Sequence, residues 1–453
     1  MVGLDNTIVN AGLPSIGRSL HAGVSGLQWT VAGYTVVLAS LLMFSGAAAD
    51  RIGRRTIFQV GLSLFTLGSW LCSLAPTLGA LVAFRVLQAA GGSMLNPAAL
   101  GIITNTFTRP AERARAIGVW DGVLGLSMAL GPVAGGMLVG AAGWRGIFWA
   151  NIPVGLAAIS LTALFVPDSR AARPRRPDPA GQLLVIVMLG ALAYAIISGP
   201  ACGWRSPRIS GFFLLAAAAL AVLLACEPRR AEPLIDFRFF RSVPFSGATL
   251  TAVCAISAMA GFLFLTTLYL QDVRGMSALR AGLTLLPMPA AMALCAPVAG
   301  RIVARRGARI PMLIAGAALT LSCAALSRLT AASGPGYLIA AYGLFGAGAG
   351  MVSPPITNGV MSGVPASQAG VASGINSSSR QLGQSLGVAV AGSVLASSLH
   401  GPMRPGFVHA AHTGWWIMAG CGYCVLLLGL ASTSRWARAT AARAGAGAPP
   451  GEL

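Results

Sequence analysis

Lysine is absent from this sequence, and charge of either sign is scarce. All 31 basic residues are Arg, set against only 11 acids, and charged residues make up 9% of the chain. A water-soluble domain carries about 25%, so an ordinary soluble globule is excluded. The net charge of +20 does not point to nucleic acid, because the Arg residues are scattered through short connections rather than gathered on one face. Only four His are present, and His21, His400, His409 and His412 are all placed in outer connections. No nucleophile–base pair and no metal-ligand spacing accompanies them, so neither an enzyme nor a metal site is expected. No phosphate-binding loop appears, which removes ATP as the energy source. No cofactor is implied, and no soluble signalling domain or cleavable leader is evident. The eight Cys fall mainly inside apolar runs, where they act as small hydrophobes. Cys421 and Cys424 form a C-x-x-C, but no alternating strand–helix pattern surrounds it.

Apolar residues supply what charge does not. They make up 55% of the 453 residues, and Gly contributes 58 more positions. Runs of about 20 apolar residues, each able to cross a bilayer as a helix, recur along the whole chain. Fourteen segments are expected, near 1–16, 28–49, 56–76, 78–103, 116–141, 144–166, 181–200, 209–226, 244–270, 279–300, 311–330, 335–361, 368–398 and 413–433. The first is short, as though about ten apolar residues were missing from its start. Arg distribution gives an independent check. Twenty-one of the 31 Arg fall in one alternate set of connections with the C-terminal tail, and eight in the other set. The richer set should face the cytoplasm, which puts both termini there and the protein in the cytoplasmic membrane. Trp29, Trp144, Trp204, Trp415 and Trp416 then fall at outer span ends and Trp436 at an inner one. Arg-only, Ala- and Gly-rich usage points to a high-GC bacterium.

Two long polar connections, 167–180 (PDSRAARPRRPDPA) and 227–243 (EPRRAEPLIDFRFFRSV), bracket spans seven and eight. They divide the chain into a six-helix bundle (1–166), a segment of linkers with two inserted helices (167–243), a second six-helix bundle (244–434) and a tail (435–453). An internal repeat agrees. GAAADRIGRR (46–55) and GRIVARRGAR (300–309) align Gly53 with Gly307, Arg51 with Arg305 and Arg55 with Arg309. Each follows the second span of its bundle, the organisation of a transporter that rocks about a midplane site.

Asp5 and Arg85 stand out because they lie inside spans. An intramembrane charge is costly unless paired or hydrated, and is therefore a functional candidate. At ~1.5 Å per residue, Asp5 lies about 12 Å and Arg85 about 10 Å from the outer ends of their spans, so the two can share a depth. An acid held between an apolar surround and a cation can load and unload a proton as access alternates. The plain alternative is an ion pair that only ties the bundle together. Residues 46–55 fit G-x-x-x-D-R-x-G-R-R, a tight loop in which Gly46 and Gly53 permit turning and Asp50, Arg51, Arg54 and Arg55 can latch neighbouring elements; otherwise it is a positive-inside loop. Asp121, near the inner start of span five, is a candidate partner for an Arg of this loop. In span five Gly131, Pro132, Gly135 and Gly136 combine a kink with close helix packing. Asn10, Gln88 and Arg380 are candidate cavity residues. Trp120, Phe262, Phe264, Tyr269, Met288, Met292, Tyr342 and Met351 could line an adaptable apolar cavity, or simply pack.

These motifs together resemble the major facilitator superfamily, and in particular its 14-span drug:proton antiporters of the EmrB/QacA type. The loop at 46–55 resembles the superfamily signature. LDNTIVNAGLP (4–14) is similar to the family's first span, with Gly12 in place of Ala. RVLQAAGGSMLNPA (85–98) is similar to R-x-x-Q-G-x-G, with Ala89 where Gly is usual. ALGPVAGG (129–136) resembles the antiporter motif. PLIDFRFFRSVPF, YLQDVRGMSALRAGLTLLP and AGVASGINSSSRQLGQSLGVA resemble C-terminal family segments. The resemblance implies an all-α major facilitator fold of two six-helix bundles plus two inserted helices. It also implies proton-coupled efflux of an amphiphilic small molecule, with Asp5 and Arg85 coupling protons in the lipid bilayer. An exporter of one endogenous metabolite, lipid or peptide, or a non-transporting receptor, are the competing readings.

Overall fold

The computed structural model describes residues 1–107, 109–170, 178–229, 237–330, 332–362, 369–399, 403–434, 436–437 and 440. The linker stretches 171–177 and 230–236 and the tail from 441 onward lie outside the described residues, as do the side chains of Asp121 and several of its neighbours.

Regular structure among the described residues is helical throughout. In chain order the helices are α1 (Val2–Ser19), α2 (Val24–Ile52), α3 (Arg54–Leu74), α4 (Leu78–Thr106), α5 (Pro110–Ala142), α6 (Arg145–Trp149), α7 (Asn151–Phe165), α8 (Pro179–Cys202) and α9 (Pro207–Cys226). They are followed by α10 (Val243–Leu268), α11 (Ala278–Thr284), α12 (Pro287–Arg306), α13 (Arg309–Leu326), α14 (Pro335–Met361), α15 (Ala369–Ser398) and α16 (Met403–Ser432). Local chemistry sets many of the starts. Thr77, Asp178 and Ser206 cap α4, α8 and α9 by accepting from the backbone N–H three residues on, and Pro179 and Pro207 occupy the first helical position, where a missing N–H costs nothing. Proline also sets the breaks. Pro153 offers no N–H to the Trp149 carbonyl, and the helical hydrogen bonding is interrupted at Ala150, which keeps helical backbone angles between α6 and α7. Pro132 likewise leaves the Met128 carbonyl unpaired, and α5 bends by 45° between Arg115–Met128 and Leu130–Ala142.

Eleven helices or helix pairs among the described residues are long and apolar enough to cross a membrane, or twelve if the bent α5 is one span. Neither α1 nor α15 is among them. Asp5, Asn6, Thr7 and Asn10 lower the hydropathy of the first, and the run Asn376–Gln381 that of the second. Large apolar side chains such as Leu164, Phe165, Leu214 and Leu294 stand outward on the others, as lipid contact requires. The protein is therefore a multi-pass membrane protein.

The chain divides into two compact units, Met1–Leu234 with Gly275–Leu283, and Ile235–Arg274 with Thr284–Leu453. In the first, α4 packs against α2 and α3, α1 against α5, and α3 against α7. The inserted pair α8–α9 groups with this unit because α8 lies along α2. Gln182 donates to the Ser40 carbonyl at 2.5 Å and Ser25 to the Ile197 carbonyl at 3.4 Å. In the second unit, α10 packs against α14, α15 and α16. Its core is aromatic: Phe262 stacks on Phe345 at 4.1 Å and meets Tyr342 and Trp415 edge-on.

Two expectations change. Trp144 and Trp415 are buried against protein rather than exposed at the surface. His409 and His412 lie inside α16, which starts ten residues before its apolar run, and Trp416 Nε1 donates to His412 Nε2 at 3.2 Å. Phe262, Phe264, Tyr269 and Tyr342 are fully buried, in keeping with the packing alternative.

Candidate functional site

α1 carries Asp5 in its first turn, and α4 carries Arg85 and Gln88, three residues apart and so on one face. Close approach of α3 to α4 brings a third helix to the same point. A Cβ on Gly68 would stand 2.7 Å from the Gln88 backbone, so only glycine lets Ser69 reach Gln88. α7 contributes Asn151, its first residue. α2 contributes Thr30 and Tyr34 from the other side.

Asp5 is 0% exposed and Arg85 1%. Arg85 Nη1 donates to Asp5 Oδ2 at 2.5 Å and to Gln88 Oε1 at 2.8 Å. Arg85 Nε donates to the Thr30 carbonyl at 3.2 Å, and the guanidinium carbon lies 4.1 Å from the Tyr34 ring centre. The other carboxylate oxygen, Asp5 Oδ1, accepts from Gln88 Nε2 at 3.0 Å and from Asn151 Nδ2 at 3.2 Å. Both amide nitrogens also donate to Ser69 Oγ, at 2.8 and 3.0 Å. The two charges are thus paired, both carboxylate oxygens accept hydrogen bonds, and Arg85 donates through Nε and Nη1, as an ion pair held in an apolar interior requires. Without the bond to Asp5, Arg85 would still be held by the Thr30 carbonyl, the Tyr34 ring and Gln88.

The loop at 46–55 forms a second constellation. α2 ends at Gly53, whose φ of +137° only glycine adopts freely, and the aligned Gly307 ends α12 with φ +81°. Asp50 Oδ1 accepts from Arg54 at 2.9 and 3.1 Å. Arg54 also reaches the Gly101 carbonyl at 3.2 Å, and Arg55 reaches that of Ala163 at 2.6 Å. The backbone N–H of Arg54 donates to Ser169 at 2.9 Å, and the Asp168 carboxylate lies against Gly53. Arg51 is exposed, Gly46 faces Pro97 at ordinary contact distance, and the proposed pairing of Asp121 lies outside the described residues. Asp168, missed in the sequence, follows a helix end and reads there as one more acid of a polar linker.

In α5, Gly131 faces Thr7, and a Cβ on Gly135 would stand 2.8 Å from both Ala11 Cβ and the Ile8 carbonyl oxygen. One on Gly136 would stand 2.5 Å from the Ala278 carbonyl, and Gly282 faces the Pro132 carbonyl; Gly275–Leu283 belongs to this unit. Of the three cavity candidates, Gln88 joins the carboxylate site. Asn10 is buried and donates to the Asn6 carbonyl of its own helix at 3.1 Å, and Arg380 is half-buried on α15. Ser69, Asn151, Thr30 and Tyr34 carried no signal, since single small polar residues and tyrosines are common in membrane spans.

Comparison with known proteins fits this architecture. The chain is 40% identical over 405 residues to the multidrug resistance protein Stp of Mycobacterium tuberculosis, covering 89% of this chain and 75% of that protein. It is 39% identical to the tetracenomycin C resistance and export protein of Streptomyces glaucescens, covering 88% and 74%. To the methylenomycin A resistance protein of Streptomyces coelicolor it is 36% identical, covering 88% and 84%. Among solved structures, a bacterial homolog of the human lysosomal transporter Spinster shares the fold with a TM-score of 0.65, at 17% identity, over 98% of this chain and 95% of that one. Residues 1–388 match the Major Facilitator Superfamily, and with these relatives, the helical fold and the repeated glycine-ended loop the chain belongs to that superfamily.

Proposed function

We propose that the protein exports amphiphilic drugs, antibiotics or secondary metabolites across the cytoplasmic membrane in exchange for protons. It does so as a fourteen-span antiporter of the EmrB/QacA type with both termini in the cytoplasm. The substrate class follows the printed names of its relatives, which concern multidrug resistance and the resistance to and export of antibiotics. The fourteen-span reading counts α6 with α7 and α11 with α12 as single spans and includes α1 and α15.

The observation that carries the coupling is the enclosed Asp5–Arg85 pair. A carboxyl at this depth stays only if its charge has a role that repays its desolvation. Asp5 takes a proton from the outer face as drug leaves. Its neutral form loosens the bond to Arg85, and the proton departs inside before drug rebinds. The loop at 46–55 and the packed bend of α5 hold the alternate states closed against leak. Everted vesicles energised with a proton gradient test this. Wild-type vesicles accumulate members of a dye panel, and Asp5→Asn vesicles with equal protein content do not; equal accumulation in both defeats the assignment.

A further inference from the structure

The two oxygens of Asp5 receive donors only: Arg85 on Oδ2, and the amides of Gln88 and Asn151 on Oδ1. An amide nitrogen carries no lone pair able to accept a proton. A proton on Oδ1 would therefore face two N–H groups, and one on Oδ2 a guanidinium. This geometry belongs to the ionised acid. The same two amides also share Ser69 Oγ, so Asp5 Oδ1 and Ser69 Oγ are bridged twice, from α4 and from α7.

We propose that Asn151, anchored by Ser69, is a positioning residue that clamps the coupling acid in its ionised form and lets go when that acid takes a proton. The inference rests on the reading of Asp5 as the coupling acid. Protonation turns one carboxylate oxygen into a donor, the facing amide must give way, and Ser69 keeps it nearby for return. Because Asn151 opens α7 beside the Ala150 break, the release reaches a helix that otherwise has no charged group at the site. The other titratable groups felt by Asp5 are Arg85 on α4, Tyr34 on α2 and Cys72 on α3. α6 presents Phe148 to Arg85, and α5 presents glycines to α1.

Infrared titration of the purified protein in lipid nanodiscs tests the clamp without any substrate. The protonated-carboxyl band that disappears in Asp5→Asn reports this acid. In Asn151→Leu that band appears at a pH about one unit higher than in wild type, a tenfold rise in proton affinity. Ser69→Ala moves it in the same direction by less and serves if the Leu variant does not fold. An unchanged midpoint in the folded variants overturns the clamp. Loss of dye accumulation in Asp5→Asn vesicles alongside such an unchanged midpoint would leave the coupling role standing and remove only Asn151. Retained accumulation in Asp5→Asn removes the coupling role itself.

Discussion

The Arg85 guanidinium has its carbon over the Tyr34 ring, 4.1 Å from the ring centre, while its Nη1 holds Asp5 at 2.5 Å. It also donates to Gln88 and to the Thr30 carbonyl, so four groups depend on one planar cation. Lysine offers a point charge with no stacking face and no fork. Arg85→Lys is expected to lower transport at least tenfold, and Arg85→Leu to destabilise by about 3–5 kcal/mol because Asp5 is left charged and unpaired. Thermal unfolding should show the double variant Asp5→Asn/Arg85→Leu to be more stable than Arg85→Leu alone.

Gly53 and Asp168 give a second prediction. A side chain at 53 would carry φ of +137° and meet the Asp168 carboxylate oxygens at 2.8 and 2.9 Å. Gly53→Ala should cost about 1–3 kcal/mol of stability, the range for a residue forced into glycine-only backbone. Adding Asp168→Ala should restore only part, since it removes the collision and not the strain. The comparison needs unfolding curves for the wild type, the single and the double variant.

The helix α5 contains its own control. Gly135→Val drives two methyls toward Ala11 and the Ile8 carbonyl, and should destabilise by about 1–3 kcal/mol. Gly140, two turns along from Pro132, has nothing within 4 Å of a built Cβ. Gly140→Ala should be neutral or stabilising by up to about 1 kcal/mol, since alanine favours a helix. Equal effects at both positions would contradict the close α1–α5 packing.

The sequence made visible what breaks a pattern. Asp5 and Arg85 interrupt apolar runs, Gly53 and Gly307 punctuate a repeat, and Pro132 stands inside a helix; each could be singled out from one dimension. Asn151 and Ser69 break nothing. Their place at the carboxylate depends on the Gly68 contact that draws α3 to α4 and on the packing of α7 against α3, neither of which a linear reading orders in space. Gln88 reads in the sequence as a candidate cavity residue, but its partner is an acid 83 residues away. The aromatic residues of the second unit show the opposite limit: composition fits a cavity wall as well as a core, and only the Phe262–Phe345 stack decides.

Proteoliposomes loaded with a pH-sensitive dye address the coupling most directly. Adding a transported drug to wild-type vesicles should move protons in the opposite direction to the drug, while Asp5→Asn should still exchange labelled for unlabelled drug and move no protons. Proton movement of wild-type size in Asp5→Asn would contradict the account.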